Sequence, residues 1–384
     1  MSEDQISALL VEDDPDDVLL IRDMLGEAES VDFDLHHVNR LSDAIEALSQ
    51  NGYSVILLDL TLPDSVGLDT FRDLHQKRPR VPIVVLTGLD DEAVGMEAMR
   101  AGAQDYLIKG DVDSNLLVRA VRYAIERHRL ESELAQALDR LDREFEIIAT
   151  VQNNLLPDEV PELPDFDVTT YYRPAEWAGG DYFDFLPLEN GSTGLILADV
   201  SGRGAPAAVL MAMTRVIVHA AENWHNPEAV LQNLNNQLSA NIPAGRFVTG
   251  TYGVINHKER TYHFTCAGHT APLLFDTTSK KAHFVDVEAE MPLGIKSNAN
   301  YKTHEVQFTP GLALILYTDG VTNASNPDGD KLGEAGLARA LEQRSPDTPE
   351  GIRDAILEGL SEHVENGELD DDTTLVILQA DHHE

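Results

Sequence analysis

The chain has 384 residues, 42% of them hydrophobic, and a formal net charge of −39 at pH 7. This length predicts two or three packed domains, and the acidic excess argues against a nucleic-acid partner, because phosphate repels such a surface. Salt adaptation and simple solubility would each account for the acidity. Cys266 is the single cysteine, which excludes an internal disulfide framework. The acidic start Met1–Asp4 lacks a signal-peptide core and no apolar run approaches a membrane span, so we expect a cytoplasmic protein with no membrane partner.

Short apolar strands alternate with helical patterns through the first third of the chain. The predicted strands are Ile6–Val11, Phe33–Val38, Ser54–Leu58, Val81–Leu86 and Asp105–Ile108. A first helix is predicted to begin at Pro15, and three more to cover about Asp43–Gln50, Leu68–Lys77 and Asp91–Ala101. This alternation predicts an α/β doubly wound fold with a parallel sheet. In that architecture the carboxyl ends of the strands build the site. Those ends carry Glu12, Asp13, Asp59, Thr87 and Lys109.

Clustered carboxylates beside a lysine suit a cation and a phosphoryl group. The stretch Val55–Asp64 resembles the phosphoacceptor strand of response-regulator receiver domains. The resemblance extends over about Ile6–Arg129, and we assign residues 1–129 to a receiver domain of flavodoxin-like fold. It implies that Asp59 accepts the phosphoryl group from a cognate sensor histidine kinase. One departure is Gly110, where the family commonly has proline.

The same resemblance implies roles for the other matching residues. The Mg²⁺ ligands would be Glu12, Asp13, Asp59 and the backbone carbonyl of Thr61. Thr87 would bond a phosphoryl oxygen, and Lys109 would neutralise its charge. Tyr106 matches the aromatic switch position, and a half-buried core tyrosine is the equally good alternative.

From Asn115 to about Leu156 the pattern is continuously helical, with no glycine or proline. A heptad seam, with one polar break at Gln152, is formed by Leu134, Leu138, Leu141, Phe145, Ile148, Gln152 and Leu155. This spacing predicts a coiled-coil linker over residues 130–157 and a homodimer. The alternative is a single helix lying along one domain. Pro157, Pro161 and Pro164 then end the helix and mark the next domain.

After Pro164 the chain has many antiparallel-type strands and segregated pairs of helices. The predicted strands are Phe166–Tyr172, Gly194–Val200, Thr249–Asn256, Tyr262–Ala267, Leu273–Asp276, Lys302–Gln307, Ala313–Tyr317 and Leu375–Leu378. The predicted helices are Pro206–Glu222, Pro227–Ile242, Gly333–Gln343 and Pro349–Val364. This arrangement predicts an α+β sandwich over residues 158–384.

Five aspartates stand at or near the ends of apolar strands, close in sequence to glycine or threonine. They are Asp181, Asp199, Asp319, Asp371 and Asp372. Carboxylates at strand ends converge when the strands share a sheet. Oxygen ligands without cysteine or a fixed histidine partner suit a hard cation such as Mg²⁺ or Mn²⁺. A neighbouring glycine lets backbone and water approach such an ion closely.

These motifs, in this order over Val151–Gln379, resemble the metal-dependent protein phosphatases (PPM family) in their SpoIIE-like branch. The resemblance implies a central β-sandwich flanked by helices, with two Mn²⁺ or Mg²⁺ ions between the sheets. Asp199 would bridge the ions, and the Val200 carbonyl would contribute. Asp181 would serve one ion, and Asp319 and Asp371 would serve the other. Asp372 is the alternative to Asp371, because the acidic run leaves the alignment uncertain by one residue.

The resulting hypothesis is a two-component response regulator whose output is a protein serine/threonine phosphatase. Relatives in this branch usually act on a phosphorylated antagonist of an anti-sigma factor, so the resemblance implies a substrate of that kind. A dinuclear site needs no covalent intermediate, so Cys266 and His269 need not be nucleophiles, and we expect a structural role for His269. Arg203 and Arg173 are possible phosphate contacts. The alternatives are a catalytically degenerate adaptor and a transcription factor, and the latter lacks a basic helix-turn-helix pattern here.

Overall fold

The computed structural model describes residues 5–28, 31–77, 80–88, 92–157, 159–365 and 369–381, with the backbone alone for Glu92 and Asn190. The chain divides into two compact units, Met1–Leu141 and Asp142–Glu384, which we call the N-terminal unit and the C-terminal unit. No helix among the described residues is long and apolar enough to cross a membrane.

The N-terminal unit is built on a parallel sheet in which each strand is followed by a helix or turn. Its elements are β1 (Gln5–Val11), α1 (Pro15–Gly26), β2 (Asp32–Val38), α2 (Leu41–Gln50), β3 (Val55–Asp59), β4 (Thr61–Leu62), β5 (Ser65–Val66), α3 (Leu68–Lys77), β6 (Ile83–Thr87), α4 (Glu92–Arg100) and β7 (Asp105–Ile108). The strand order β2-β1-β3-β6-β7 confirms the predicted doubly wound fold. The expected start of α4 at Asp91 lies outside the described residues.

Apolar side chains on both faces of this sheet form the core of the N-terminal unit. Leu9, Ile56 and Phe71 belong to the cluster on one face, and Leu10 and Leu57 belong to the cluster on the other. Neighbouring residues of one strand enter opposite clusters because side chains alternate across a strand. Strands covered on both faces are apolar throughout, as the sequence pattern indicated.

Helix α5 covers Ser114–Asn153, a continuous run of 40 residues, as the sequence predicted. Its beginning is amphipathic, and Leu117 and Val121 are buried in the core of the N-terminal unit. Further along, the apolar side chains of Leu134, Leu138 and Leu141 are 62%, 53% and 48% exposed in the single chain. The coiled coil and the three-part domain division remain predictions.

The C-terminal unit contains two antiparallel sheets and two groups of helices. Its elements are β8 (Phe166–Arg173), β9 (Tyr182–Pro187), β10 (Ser192–Val200), α6 (Gly204–His219), α7 (Pro227–Asn241), β11 (Val248–Asn256), β12 (Thr261–Ala267), β13 (Leu273–Asp276), β14 (Lys281–Phe284), β15 (Thr303–Gln307), β16 (Leu312–Tyr317), α8 (Asp319–Asn323), α9 (Gly333–Arg344), α10 (Pro349–His363) and β17 (Thr373–Ala380). The strand orders are β15-β12-β11-β10-β9 and β14-β13-β16-β17-β8.

The two sheets pack face to face, with helices on the outer face of each. Phe183 and Leu195 of the first sheet share an apolar cluster with Leu314 and Val376 of the second. Helices α6 and α7 cover the first sheet through a separate cluster, and α9 and α10 cover the second. The predicted α+β sandwich flanked by helices is therefore confirmed.

Several boundaries differ from the sequence prediction. The two-residue strands β4 and β5 of the N-terminal unit were missed, and so were two strands of the C-terminal unit. Strand β9 was not predicted because Asp184 interrupts its apolar run, and the short strand β14 was not predicted either. Helix α6 begins at Gly204, before Pro206, and ends at His219. Helix α5 ends at Asn153 because Leu155 and Leu156 pack instead against the core of the C-terminal unit.

Candidate functional site

Three carboxylates meet at the carboxyl end of the parallel sheet. Glu12 and Asp13 follow β1, and Asp59 ends β3, which pairs with β1 in the register Val11 to Leu58. Oxygen atoms of these acids lie within 4.8 Å of one another, close enough to share one ion. Burial raises the pKa of Glu12 to about 7, and the neighbouring charge of Asp59 contributes to the shift. This oxygen-donor set fits a hard cation such as Mg²⁺.

Lys109 lies among these acids at the end of β7. Its Nζ is 2.6 Å from Glu12 Oε2, 2.8 Å from Asp17 Oδ2 and 2.7 Å from Asp59 Oδ2. Burial alone would lower the pKa of Lys109, but its bonds to Asp17, Asp59 and Glu12 raise the pKa above the ordinary value. Sequence analysis missed Asp17, which lies in the first turn of α1 at the same edge of the sheet. We call Glu12, Asp13, Asp17, Asp59 and Lys109 together the Lys109 pocket.

The other predicted receiver residues lie around this pocket. The backbone N–H of Thr61 donates to Asp59 Oδ1 at 2.9 Å, and Thr87 is buried at the end of β6. Tyr106 is partly buried, with its ring against Gly95 of α4: a Cβ at Gly95 would lie 2.7 Å from Tyr106 Cδ2 and 3.4 Å from Thr87 Cγ2. The side chains of Tyr106 and Thr87 therefore both lie close to Gly95 of α4.

The second group of acids lies where the two sheets of the C-terminal unit face each other. Asp199 is on β10, Asp181 directly precedes β9, and the two strands pair in the register Ala198 to Tyr182. On the facing sheet β16 and β17 are neighbours, which brings the start of α8 beside the acidic turn before β17. We call the five residues the aspartate cluster: Asp181, Asp199, Asp319, Asp371 and Asp372.

Asp181 joins the two sheets. Its Oδ2 accepts hydrogen bonds from Thr318 Oγ1 at 2.7 Å and Thr374 Oγ1 at 2.5 Å. Its Oδ1 is buried and has no hydrogen-bond partner among the described residues. Burial raises the pKa of Asp181 to about 8. Burial, followed by repulsion from Asp181 and Asp319, raises the pKa of Asp199 to about 9.

These properties fit a bound cation. Buried carboxylates are costly without a counter-charge, and divalent cations prefer oxygen ligands of this type. The unpaired oxygen of Asp181 provides an unused ligand atom, and burial also raises the pKa of Asp319. The aspartate cluster therefore has the donor chemistry of a metal centre.

Asp371 and Asp372 have different surroundings, although they are adjacent in sequence. Asp372 is buried and accepts backbone N–H bonds from Ala175 at 2.8 Å and Gly180 at 2.5 Å. The side chain of Asp371 is 38% exposed, and its Oδ1 lies 3.4 Å from Arg203 Nε. Both oxygens of Asp372 are thus engaged by backbone N–H groups. Asp371 has only Oδ1 engaged, by the Asp372 N–H at 3.1 Å and by Arg203, so its carboxylate remains partly accessible to a ligand.

The Gly179-Gly180 pair is tightly packed. A Cβ at Gly179 would lie 2.6 Å from Asp372 Oδ2, and one at Gly180 would lie 2.7 Å from the Val200 carbonyl oxygen. Any side chain here would push apart the backbone that carries Asp181. The lack of space for a Cβ therefore explains why two glycines precede Asp181.

Gln152, near the end of α5, contacts the same segment. Its Nε2 donates to the Gly179 carbonyl at 2.7 Å, and its Oε1 accepts from the Gly179 N–H at 2.9 Å. The side chain is 3% exposed. The sequence interpretation of Gln152 as a polar break in a dimer seam is therefore wrong, because its amide is fully used inside the C-terminal unit. Leu155 likewise packs in that unit and does not extend the seam.

The remaining residues singled out in the sequence are His269, Cys266 and Arg173, and none of them is one of the clustered acids. Burial lowers the pKa of His269 to about 4, and its Nδ1 lies 2.9 Å from Thr249 Oγ1. Burial raises the pKa of Cys266 to about 11, so its thiol is a poor nucleophile near neutral pH. Arg173 is exposed at the end of β8. These environments favour structural roles for His269 and Cys266.

Comparison with known families agrees with this geometry. Residues 189–381 match the family described as stage II sporulation protein E (SpoIIE), and residues 8–122 match the response regulator receiver domain. The chain belongs to the SpoIIE family. It is a metal-dependent phosphatase of this family that carries an N-terminal receiver domain, as the sequence resemblance implied.

Individual relatives support the same assignment. The phosphoserine phosphatase RsbU of Bacillus subtilis is 30% identical over 238 residues, which cover 62% of this SpoIIE-family chain and 70% of RsbU. Protein IcfG of Synechocystis is 24% identical over 368 residues, covering 87% of this chain and 56% of IcfG. The SiaA PP2C domain of Pseudomonas aeruginosa superimposes with a TM-score of 0.58 at 20% identity, over 65% of this chain and all of that domain (100%), which shows a shared fold.

Proposed function

We propose that this SpoIIE-family protein hydrolyses phosphoserine or phosphothreonine on a partner protein, under the control of Asp59 phosphorylation. The similarity to RsbU, which is named a phosphoserine phosphatase, supports the substrate class. The family resemblance suggests a phosphorylated antagonist of an anti-sigma factor as the partner, and the receiver implies a sensor histidine kinase upstream. The observation that carries the proposal is the convergence of Asp181, Asp199 and Asp319 with raised carboxyl pKa values.

In this proposal Asp199, Asp181, Asp319, Asp371 and the Val200 carbonyl would hold two divalent ions, with Asp199 and Val200 serving both, Asp181 serving one, and Asp319 and Asp371 serving the other. The contacts of Asp372 favour Asp371 as the ligand, because both oxygens of Asp372 already accept backbone N–H bonds. When bound, Mn²⁺ or Mg²⁺ would supply a water of lowered pKa and charge stabilisation for the phosphoryl oxygens.

The protein's own contribution is positioning. Thr318 and Thr374 fix the carboxylate of Asp181 from the facing sheet. Asp372 fixes the N–H of Gly180, whose Cα lies against the Val200 carbonyl. Ligands held by hydrogen bonds of this kind keep their orientation without reorganisation during the reaction.

In the receiver, we propose that Mg²⁺ is held by Glu12, Asp13, Asp59 and the Thr61 carbonyl. Thr87 would then bond the phosphoryl oxygen on Asp59, and Lys109 would neutralise its charge. The existing ion pair of Lys109 with Asp59, at 2.7 Å, supports this role. Tyr106, which like Thr87 lies close to Gly95 of α4, is the proposed switch residue.

The proposed link between these sites is α5. Its exposed seam would form a homodimer through Leu134, Leu138, Leu141, Phe145 and Ile148. The end of the same helix carries Gln152, which bonds both backbone groups of Gly179 next to Asp181. A continuous helix transmits a change in packing that a flexible linker would lose.

The direct test of the enzyme is turnover by the full chain with Mn²⁺, on p-nitrophenyl phosphate and on a phosphoserine peptide. We expect hydrolysis of both, and we expect Asp199→Asn to abolish it. The melting temperature of the metal-free chain should stay at or above that of the wild type, because the substitution removes a carboxyl whose ionisation is opposed by burial and by the neighbouring acids. A folded wild-type chain that binds Mn²⁺ and phosphopeptide but does not hydrolyse either substrate would establish the adaptor alternative.

The test of the regulatory link combines Leu138→Asp with Leu141→Asp. Charges buried in the seam should give a monomer, and phosphatase activity should no longer respond to Asp59 phosphorylation by acetyl phosphate. Light scattering and labelling measure the two effects, and Asp59→Ala is the control that cannot be labelled. A mass still equal to two chains, with unchanged regulation, would exclude this mechanism.

A further inference from the structure

The loop Ser201–Arg203 joins β10 to α6 and directly follows Asp199 and Val200. It is fixed to the segment that leads into β11. The Ser201 N–H donates to the Phe247 carbonyl at 2.9 Å, and the Phe247 N–H donates to Ser201 Oγ at 2.9 Å. The loop therefore has a defined position beside the aspartate cluster.

Arg246 places its guanidinium group on this loop. Its Nη1 donates to the Ser201 carbonyl at 2.7 Å. A Cβ at Gly202 would lie only 1.8 Å from Nη1, and Gly202 has a φ of +97°, so glycine is required here on both grounds. The guanidinium thus occupies the space that any other side chain at position 202 would need.

Arg203 supplies a second guanidinium group on the same loop. Its Nε lies 3.4 Å from Asp371 Oδ1, and its side chain is 45% exposed. This contact places the positive charge of Arg203 beside the aspartate cluster.

We infer that Arg203 and Arg246 bind the phosphoryl group of the substrate, an inference that rests on the proposed phosphatase function. A phosphoryl group carries negative charge into a cluster of carboxylates, and the charges of Arg203 at Asp371 and of Arg246 on the loop that follows Asp199 would offset the repulsion. Guanidinium groups suit this role because their planar N–H donors match phosphate oxygens. Arg246 spends one donor of Nη1 on Ser201, and its other N–H groups have no partner among the described residues. Sequence analysis considered Arg203 but missed Arg246, which lies forty-odd residues further along the chain.

The test uses Arg246→Ala, Arg246→Lys and Arg203→Ala in the full chain with Mn²⁺. Arg339→Ala is the matched control, because Arg339 is exposed on α9 in the same unit. The measurements are KM and kcat on p-nitrophenyl phosphate and on a phosphoserine peptide, the inhibition constant of inorganic phosphate, and the melting temperature. Loss of a charged hydrogen bond should raise the inhibition constant and both KM values about 10- to 100-fold. Arg246→Lys should recover part of the loss, and the control should match the wild type.

Three outcomes would overturn the inference. If Arg246→Ala lowers the melting temperature but leaves the phosphate inhibition constant unchanged, Arg246 only braces the Ser201 loop. If the KM rises for the peptide and not for p-nitrophenyl phosphate, the arginines recognise acidic residues that flank the phosphoserine. If Arg203→Ala, which removes no described backbone bond, has no effect on any phosphate-binding constant, the paired role is wrong. An inactive wild type would instead reject the proposed function itself.

Discussion

Both units bring carboxylates together at strand ends, but they offset the resulting repulsion differently. In the Lys109 pocket, Nζ of Lys109 lies within 2.8 Å of three carboxylates. In the aspartate cluster, the described residues include no lysine or arginine paired with Asp181 or Asp199, and Arg203 pairs only with the accessible Asp371. Lys331 approaches Asp319 through Asn323.

This difference separates a pocket that carries its own counter-ion from a cluster that depends on an added one. A lysine inside the Lys109 pocket keeps the three acids compatible before any phosphoryl group arrives. The aspartate cluster instead concentrates unpaired negative charge, which raises carboxyl pKa values and favours cation binding. The predictions below follow from this comparison, from the largest expected effect to the smallest.

The largest effects should come from the adjacent acids Asp371 and Asp372. We expect Asp371→Asn to abolish Mn²⁺-dependent turnover while leaving the melting temperature nearly unchanged. Asp372→Asn should lower both, because an amide cannot accept well from both Ala175 and Gly180 N–H groups, at a cost of about 1–3 kcal/mol for a buried unsatisfied donor. Kinetics and thermal unfolding distinguish the two. A loss of activity confined to Asp372→Asn, without destabilisation, would make Asp372 the metal ligand.

A smaller effect is expected from Gln152→Leu. Removing its paired bonds to Gly179 should reduce Mn²⁺ affinity or turnover about 10- to 100-fold, as for other residues that support metal ligands indirectly. Gln136→Leu is a matched control, since Gln136 is exposed on the same helix. Isothermal titration with Mn²⁺ measures the change. Equal affinities for both variants and the wild type would show that Gln152 does not support the metal site.

The last effect concerns the dependence of stability on pH and not turnover. Asp181 and Asp199 have folded-state pKa values of about 8 and about 9, against about 3.9 for an unfolded aspartate. Between these limits the folded chain binds more protons than the unfolded chain, so the free energy of unfolding falls as pH rises. The folded-state pKa of Glu12 is about 7, so its own contribution to this fall in the free energy of unfolding is complete near pH 7.

We therefore expect the metal-free C-terminal unit to lose stability further between pH 7 and 9, while the contribution of the Lys109 pocket stays level. Mn²⁺ at about 100 times its dissociation constant should restore about 2.7 kcal/mol. Calorimetry of the full chain with a chelator and with Mn²⁺ measures both effects. A C-terminal transition that is independent of pH in this range would contradict the argument.

Much of this architecture could be predicted from the sequence, because the spacing of apolar residues and the residues at the turns agree with the tertiary fold. The parallel strands of the N-terminal unit are apolar runs ending at acids, and the register of β1 with β3 makes their ends adjacent. The contacts of Gln152 and Arg246 could not be predicted, because each depends on a backbone group distant in sequence, at Gly179 and Ser201. Side-chain pairing of this kind leaves no periodic pattern in the sequence.

The two missed strands of the C-terminal unit have a further consequence for solubility. Strands β9 and β14 each lie at the outer edge of a sheet, where unpaired backbone groups could recruit a strand from another molecule. Strand β9 contains the inward-facing Asp184, bonded to Tyr182 and His219, and ends at Pro187, while β14 is short and begins with Lys281. A charge turned inward, a terminal proline and a lysine all discourage edge-to-edge association. The inward charge that hid β9 from the apolar pattern, and the shortness that hid β14, thus protect one edge of each sheet from pairing with another molecule.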